Sequence, residues 1–321
     1  MKLLKNNTDN FTLRNHYNPC FWTALWNREY YDIIKNSTER NKKSRDYKLK
    51  GIRFSCDKII ENKADNLFFE LHMGLVVLSI RELRNLYYKL PKDYIFISKV
   101  NKFRIKYLSW LIPNWGIIID IEPLFRVLES MNGTNAVLDL VKHGKIIDKT
   151  HKSLLATFIY TQQLRSPLTF SANYQKNKHA NNPKAFSILD FILSLSNETE
   201  MYNVINLYTQ CMWHIYTADI DIFPLSDLTI YEDKHNVIAV LSPRHLIIID
   251  KEHKEDDEKY NISMSKELLD FVFKIVFQNT FKDLVLENET VLNHLLDSSD
   301  WKNRSSIVRD IRKTRKDLNL A

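Results

Sequence analysis

Apolar residues at helical spacing are the clearest pattern in this sequence. Leu155 and Ile159 lie four positions apart behind Asp148, whose carboxylate can cap the first turn of a helix. Pro167 cannot continue a helix, so the pattern predicts a helix that begins near Asp148 and ends before Pro167. Arg165 is therefore expected at the C-terminus of this helix.

The same spacing predicts helices in several other parts of the chain. Asn18-Pro19 is typical of a helix start, with Asn18 as the N-cap and proline at the first helical position. The predicted helices cover about 19–31, 66–88, 184–196, 199–215 and 265–318. Most of the chain is therefore expected to be helical.

Alternating and β-branched runs predict strands in two regions. Short strands are expected near 51–56 and 94–97. A larger unit covers about 216–250, because 236–241 and 245–249 are rich in β-branched residues. We expect the strands of this unit to pair antiparallel.

These elements predict an α+β fold, in the form of a single, mainly helical domain with a small antiparallel β unit. A central helical region is expected over about 118–215 and a C-terminal one over about 265–318. No internal repeat and no linker divides residues 1–321, so one domain is the simplest interpretation. With 44% hydrophobic residues in 321, the chain can form a substantial core.

Charge and glycine content narrow the classes of function. The net charge of +7 and a pI near 9.0 favour a polyanionic partner such as nucleic acid. A lysine- and asparagine-rich chain from a low-GC genome would show the same balance without such a partner. The five glycines lie too far apart for a phosphate-cradling loop, which disfavours a Rossmann or P-loop enzyme.

Cysteine spacing and the length of apolar runs bear on the setting of the protein. The three cysteines are widely separated, with no Cys-x-x-Cys, so neither a disulfide framework nor a zinc site is predicted. The apolar runs are far shorter than the roughly 20 residues of a membrane helix, and the N-terminus has no apolar signal core. We therefore expect a cytoplasmic protein with no membrane partner.

Three segments place polar side chains among aromatic and aliphatic residues. They are residues 15–22, residues 158–167, and residues 223–227 together with 241–243. A buried polar group without a partner costs on the order of 1–3 kcal/mol, so these groups are expected to satisfy one another or a ligand. They are the best candidates for a shared site.

The order and spacing of these segments resemble domain-of-unknown-function family 4238, whose members are mostly bacterial. His16-Tyr17-x-Pro19-x-Phe21 is similar to the opening of that family, and Gln162-x-x-Arg165-Ser166-Pro167 is similar to its Gln-x-x-Arg-Thr-Pro helix end. Ser226-Asp227 and Leu241-Ser242-Pro243 are similar to its later strand motifs, with Leu228-Thr229 where the family has Asn-Pro. The resemblance spans most of the chain and brings no established activity with it.

Three residues of these motifs are predicted to be catalytic: His16, Arg165 and Asp227. His16 and Asp227 could form an oriented acid/base pair. Arg165 could bind an anion through its planar guanidinium. Such groups suit metal-independent cleavage of a phosphodiester or the binding of a phosphate ligand.

An anion site is predicted beside these residues. The N–H groups at the start of the helix behind Asn18 would form the positive end of a helix dipole, which attracts phosphate or carboxylate. The predicted anion-binding residues are Arg14, Asn18 and Gln163. The alternative is structural, because His16 could bond a backbone carbonyl, Arg165 its own helix end, and Asp227 could cap a turn.

Two pairs of carboxylates offer a metal-dependent alternative. Asp120 with Glu122, and Asp219 with Asp221, could each point to one face and hold Mg²⁺. Neither pair is followed by the lysine of a Glu-x-Lys nuclease core. We therefore predict no metal site and no cofactor.

Basic residues recur between positions 301 and 316. At helical spacing, Lys302, Arg309, Arg312 and Lys316 share one face, which suits the backbone of RNA or DNA. A solvated helix is the alternative interpretation of the same pattern.

Together these features favour a protein that acts on nucleic acid, with RNA preferred to DNA, as a metal-independent nuclease in a bacterial toxin or phage-defence setting. The alternative is a non-enzymatic module that binds a phosphorylated small molecule or a protein partner through the same residues. The sequence leaves open whether the protein is an enzyme.

Overall fold

The computed structural model describes residues 14–16, 18–36, 44–53, 58–71, 75–87, 109–120, 133–180, 182–184, 186–187, 190, 198–254, 257–261, 264–280 and 282–297. The predicted strand at 94–97, Glu122, and the basic face of Lys302, Arg309, Arg312 and Lys316 lie outside these residues. Within the described part of the chain, no helix is both long enough and apolar enough to cross a membrane.

Helices and strands are mixed along the whole described chain. The helices are α1 (Cys20–Ala24), α2 (Arg28–Asn36), α3 (Ile80–Tyr87), α4 (Thr134–His143), α5 (Lys149–Leu164), α6 (Pro167–Asn177), α7 (Glu198–Gln210), α8 (Lys266–Asn279) and α9 (Glu289–Asp297). The strands are β1 (Arg14–His16), β2 (Lys48–Arg53), β3 (Lys58–Lys63), β4 (Phe69–Leu71), β5 (Leu75–Ser79), β6 (Gly116–Asp120), β7 (Met212–Thr217), β8 (Leu225–Ser226), β9 (Ile230–Glu232), β10 (Asn236–Ser242), β11 (His245–Asp250), β12 (Glu258–Asn261) and β13 (Asp283–Val285). Short 3₁₀ helices cover Ser44–Asp46 and Ala64–Asn66. The α+β class predicted from the sequence is confirmed.

The helix predicted behind Asp148 is confirmed as α5. The Asp148 carboxylate accepts the backbone N–H of His151 at 2.8 Å, and Arg165 is the C-cap residue. Ser166 then caps α6 by accepting the backbone N–H of Thr169 at 3.2 Å. One helix therefore ends and the next begins within the motif that contains Arg165.

The single helix predicted over about 19–31 is wrong, because the structure has two helices there. α1 ends at Ala24, and the side chain of Asn27 accepts the backbone N–H of Tyr30 at 3.0 Å at the start of α2. A side-chain cap inside an apolar run favours a new helix start over continuation.

The helix predicted over 66–88 is wrong in its first part. β4 and β5 occupy that part, and β5 pairs antiparallel with β6. Helix α3 begins only where Ser79 and Glu82 form a capping box, in which each side chain accepts the other residue's backbone N–H. The partner strand lies far along the chain, so helical spacing within 66–88 could not show it.

The β unit predicted over about 216–250 forms most of a five-stranded sheet with the order β12-β7-β11-β10-β9. Its neighbouring strands are antiparallel except β12 and β7, which are parallel. Strands β10 and β11 form a hairpin in which Ser242 lies opposite His245. The antiparallel pairing predicted within 216–250 is therefore confirmed.

A second sheet joins distant segments of the chain. Its order is β3-β2-β13-β8, and all of its pairs are antiparallel. β13 interrupts the region that the sequence predicted to be helical from 265 onward, which instead contains α8, β13 and α9. Two further strand pairs, β1 with β4 and β5 with β6, form separate two-stranded sheets. Strands therefore make up more of the fold than one small unit.

The aromatic residues of the first two helices belong to the buried core. Trp22 and Trp26 are at most 1% exposed, and their rings meet edge to face with centroids 6.4 Å apart. Tyr30 and Tyr31 of α2 are also buried. This apolar anchoring holds the N-terminal motif against the rest of the fold.

Gly51→Ala is expected to destabilise the protein by about 1–3 kcal/mol, because a Cβ at this position would collide with the backbone carbonyl of Leu284 in β13. Urea unfolding followed by circular dichroism measures the effect. Gly133→Ala is the matched control, since its Cβ would lie 3.5 Å from the side chain of Phe158, an ordinary contact. Equal stability of the two variants would contradict the close approach of β2 and β13.

Candidate functional site

The three polar motifs meet in space. The side-chain amide of Asn18 donates to the carbonyl of Ser226 at 2.7 Å, and the indole N–H of Trp22 donates to the carbonyl of Leu241 at 2.8 Å. The ring of Phe158, on α5, packs edge to face on Trp22 with centroids 5.1 Å apart. Segments separated by about two hundred positions in the sequence are therefore direct neighbours.

A small cavity lies where the motifs meet. Its volume is about 10 Å³, which is room for about one water molecule. Neither the amide nitrogen nor the amide oxygen of Gln162 has a hydrogen-bond partner among the described residues. The residues that line the cavity are Asn18, Trp22, Gln162, Ser166, Asp227, Leu228, Thr229 and Ile230. The space is too small for a substrate, so this part of the motif cluster belongs to the interior.

Asp227 is buried and contacts backbone. Its Oδ2 accepts the N–H groups of Lys282 at 2.8 Å and Asp283 at 3.2 Å, at the start of β13. Burial raises the pKa of Asp227 to about 7, and the charge of Asp283 acts in the same direction. These contacts make Asp227 a link between the β8 segment and β13.

His16, Cys20 and Asp65 form a second cluster at the end of β1. The Nε2 atom of His16 lies 3.5 Å from Oδ1 of Asp65. The Sγ atom of Cys20 lies 3.9 Å from each ring nitrogen of His16 and 3.8 Å from Oδ1 of Asp65. The side chain of Asp65 is 31% exposed and that of His16 is 11% exposed, so this cluster opens to solvent through Asp65.

The local fold brings the members of this cluster together. β1 pairs antiparallel with β4, which places His16 opposite Phe69. Cys20 is the first residue of α1, four residues after His16 of β1. Asp65 lies in the 3₁₀ helix before β4. The N–H of Ala64 donates to the carbonyl of Tyr47 at 2.9 Å and ties that 3₁₀ helix to the segment before β2.

Burial and nearby arginines set the protonation of the cluster. Burial lowers the pKa of His16 to about 4 and the charge of Arg165 adds to this effect, whereas Asp65 and a hydrogen bond to the backbone of Leu67 oppose it. Burial raises the pKa of Cys20 to about 12, Asp65 adds to this effect, and the charges of Arg45 and Arg165 oppose it. At neutral pH the imidazole is therefore neutral and the thiol protonated.

The structure brings together two of the three residues predicted to be catalytic. Arg165 is buried at the C-cap of α5, and its charge acts on both His16 and Cys20. The carboxylate in contact with His16 is Asp65, whereas Asp227 contacts the backbone at the start of β13. The structure therefore gives His16 a different acidic neighbour from the one that the sequence suggested.

The predicted N-cap role of Asn18 is wrong. Pro19 occupies the N-cap position of α1, and no side chain caps this helix. α1 has only five residues, and the Asn18 amide is occupied by the carbonyl of Ser226. Arg14 lies in β1 opposite Leu71, and its side chain is outside the description.

Gln163 is directed toward a carboxylate. Its Nε2 donates to Oε2 of Glu232 at 2.9 Å, and its Oε1 accepts the hydroxyl of Tyr208 at 3.1 Å. Because successive residues of an α-helix point about 100° apart, Gln162 lines the cavity while Gln163 faces Glu232.

Of the carboxylate pairs that the sequence offered for Mg²⁺, Asp221 accepts a hydrogen bond from Nε of Arg244 at 2.6 Å.

A larger groove lies elsewhere on the molecule. It has a volume of about 540 Å³, and its lining is mainly apolar, with Leu269, Phe273 and Phe277 of α8 and Val291 of α9 among its residues. Of the predicted catalytic and anion-binding residues that the structure describes, none lines it, whereas Asp221 of the carboxylate pairs does.

No family model, no curated protein and no solved structure matches this chain. The resemblance to domain-of-unknown-function family 4238 therefore rests on the three short motifs alone.

Sequence reasoning missed Cys20 and Asp65 as neighbours of His16. Cys20 follows His16 by four positions within the first motif, which is a spacing that could have drawn attention to it. Asp65 lies just before a stretch that was predicted to be helical and shares no motif with His16. Only the pairing of β1 with β4 brings it close.

Asp227→Asn is expected to remove a pH dependence of stability. Between about pH 4 and about pH 7 the folded Asp227 carboxyl keeps a proton that the unfolded chain releases. Its contribution to the free energy of unfolding is therefore complete below about pH 4 and is lost as the pH rises to about 7, by up to about 1.4 kcal/mol per pH unit. Urea unfolding of both proteins across this range measures the slope. Parallel curves would contradict the raised pKa of Asp227.

Proposed function

We propose that this protein acts on nucleic acid by cleaving phosphodiester bonds without a metal ion, with RNA as the favoured substrate. The observation that supports the proposal is the contact of the His16 imidazole with the partly exposed carboxylate of Asp65, together with the charge of the buried Arg165 guanidinium, which acts on His16. These are group types that bind phosphate and move protons in phosphodiester cleavage. The net charge of +7 favours the approach of a polyanion.

Each residue of the cluster would have a separate task. Arg165 would donate hydrogen bonds to the non-bridging oxygens of a phosphate, since a planar guanidinium matches that geometry. His16 would handle the proton of the attacking hydroxyl, with Asp65 orienting the ring. Asp227 would position the surrounding backbone through Lys282 and does not need to touch the substrate.

The cellular setting and a basic surface near the C-terminus are further parts of the proposed function. We place the activity in the bacterial cytoplasm, in a toxin or phage-defence system. Further contacts with the RNA backbone are proposed for Lys302, Arg309, Arg312 and Lys316, each of which would add to the salt dependence of binding.

The alternative is a non-enzymatic module that binds a phosphorylated small molecule or a protein partner. It is favoured by the internal use of the motifs: Asn18 and Asp227 both bind backbone groups, and the cavity beside them fits about one water molecule. In this alternative Arg165 and Arg45 would attract the phosphate and no bond would be broken.

His16→Gln is expected to lower the rate of RNA cleavage by at least about 100-fold, because it removes the proton-transfer group while keeping a polar side chain. Purified wild type, His16→Gln and Arg165→Lys are incubated with total RNA, tRNA and plasmid DNA. Each reaction is run once with EDTA and once with added Zn²⁺ in place of EDTA. His253→Ala is the matched control, since that histidine is exposed and pairs with Asp250. Circular dichroism verifies that every variant is folded.

Cleavage in EDTA by wild type and by His253→Ala, but not by His16→Gln, supports the proposal, whereas cleavage that requires added Zn²⁺ would contradict its metal independence. Inactive wild type that binds RNA in a salt-sensitive manner supports the non-enzymatic alternative. Cleavage at equal rates by wild type and a folded His16→Gln protein would exclude His16 from the reaction.

A further inference from the structure

Cys20 gives the cluster of His16 and Asp65 a third donor atom that proton transfer does not require. The three donors are an imidazole nitrogen, a thiol sulfur and a carboxylate oxygen, and they lie within 4.8 Å of one another. Among the residues that the structure describes, this is the one group of histidine, cysteine and acidic side chains with such spacing. This mixture of nitrogen, sulfur and oxygen is the donor set of zinc proteins.

The separations of the donor atoms match the edges of a zinc tetrahedron. Zinc bonds of about 2.3 Å to sulfur and about 2.0–2.2 Å to nitrogen or oxygen, at tetrahedral angles, put pairs of ligands about 3.3–3.6 Å apart. The structure has 3.9 Å from Cys20 Sγ to His16 Nε2, 3.8 Å from Cys20 Sγ to Asp65 Oδ1, and 3.5 Å from His16 Nε2 to Asp65 Oδ1. Side-chain shifts of a few tenths of an ångström would therefore complete the coordination.

The surroundings of the cluster would hold these ligands in place. His16 hydrogen-bonds the backbone of Leu67, and metal-bound histidines usually have their second ring nitrogen fixed in this way. The three residues come from β1, α1 and a 3₁₀ helix, and pairing of β1 with β4 fixes the first relative to the last. Asp65 is exposed enough to provide a path for an ion.

Charge also suits a divalent ion at this position. The Cys20 thiolate and the Asp65 carboxylate together would neutralise two positive charges, and neutral His16 would add no charge. Mg²⁺ and Ca²⁺ are disfavoured, because they take oxygen ligands in larger number.

We infer that His16, Cys20 and Asp65 bind one zinc ion, or another borderline-soft divalent ion, with the fourth position open to water or substrate. The inference gives His16 and Asp65 a task other than proton transfer, because a ring nitrogen that coordinates an ion cannot also take up a proton. Zinc binding therefore does not depend on the proposed function. The expectation that this chain has no zinc site followed from the lack of a Cys-x-x-Cys motif, whereas these ligands come from separate segments.

The test measures the metal directly on the full chain. Purified protein is analysed for zinc, stripped with a chelator, and titrated with Co²⁺ while its absorption spectrum is recorded. We expect one zinc per chain, together with a thiolate-to-cobalt charge-transfer band and the strong visible bands of tetrahedral Co²⁺. Cys20→Ala should abolish the charge-transfer band. Cys211→Ala, which removes a buried thiol directly after α7, is the matched control and should keep the band.

Asp65→Asn is a second test that is insensitive to folding problems at Cys20. Loss of a residue that only hydrogen-bonds a metal ligand weakens metal binding by roughly 10- to 100-fold. Because Asp65 would bind the ion directly, Asp65→Asn should weaken zinc affinity by more than this, as measured by competition with a chromogenic chelator. Absence of stoichiometric zinc and of the charge-transfer band in wild type would overturn the inference. So would a band that persists in folded Cys20→Ala, or unchanged affinity in Asp65→Asn. None of these readouts uses RNA, so failure of the zinc site and failure of the nuclease proposal are distinguishable.

Discussion

The fold around the candidate site depends on hydrogen bonds that the N-terminal segment donates to distant backbone carbonyls. The donors and acceptors are Asn18 to Ser226 at 2.7 Å, Trp22 to Leu241 at 2.8 Å and Trp26 to Phe223 at 2.7 Å. All three bonds are buried, where an unmade bond costs about 1–3 kcal/mol. They fix α1, and through it Cys20 and His16, against the strands β8 and β10.

This arrangement divides the polar groups of the three motifs into two sets. Asn18, Gln162 and Asp227 line a cavity that admits about one water molecule, so their polarity serves the interior. His16 and Asp65 lie in the half-buried cluster with Cys20, next to the charge of Arg165. Of the two sets, the second is the more exposed, through the side chain of Asp65. The C-terminal end of α5 therefore serves both sets: Gln162 lines the cavity, and the charge of Arg165 acts on His16 and Cys20.

How far the sequence could predict each element depends on the range of the interactions that stabilise it. The helix α5 was predictable because its cap at Asp148 and its apolar spacing are local. The strand β5 was not, since the partner that satisfies its backbone begins at Gly116. In the same way, the motifs identified His16 and Arg165 as neighbours, whereas Asp65 approaches His16 only through the pairing of β1 with β4.

By itself, the sequence determined the α+β class, the antiparallel strands within 216–250, the helix behind Asp148 and the three motifs whose polar groups require partners. The tertiary structure alone decided which partners they have. Asp227 binds the backbone of β13, Gln163 turns to Glu232, and His16 meets Cys20 and Asp65. The physical reason is that capping and periodicity act within a few residues, whereas hydrogen bonds between strands and buried side chains depend on chain segments that local spacing does not relate.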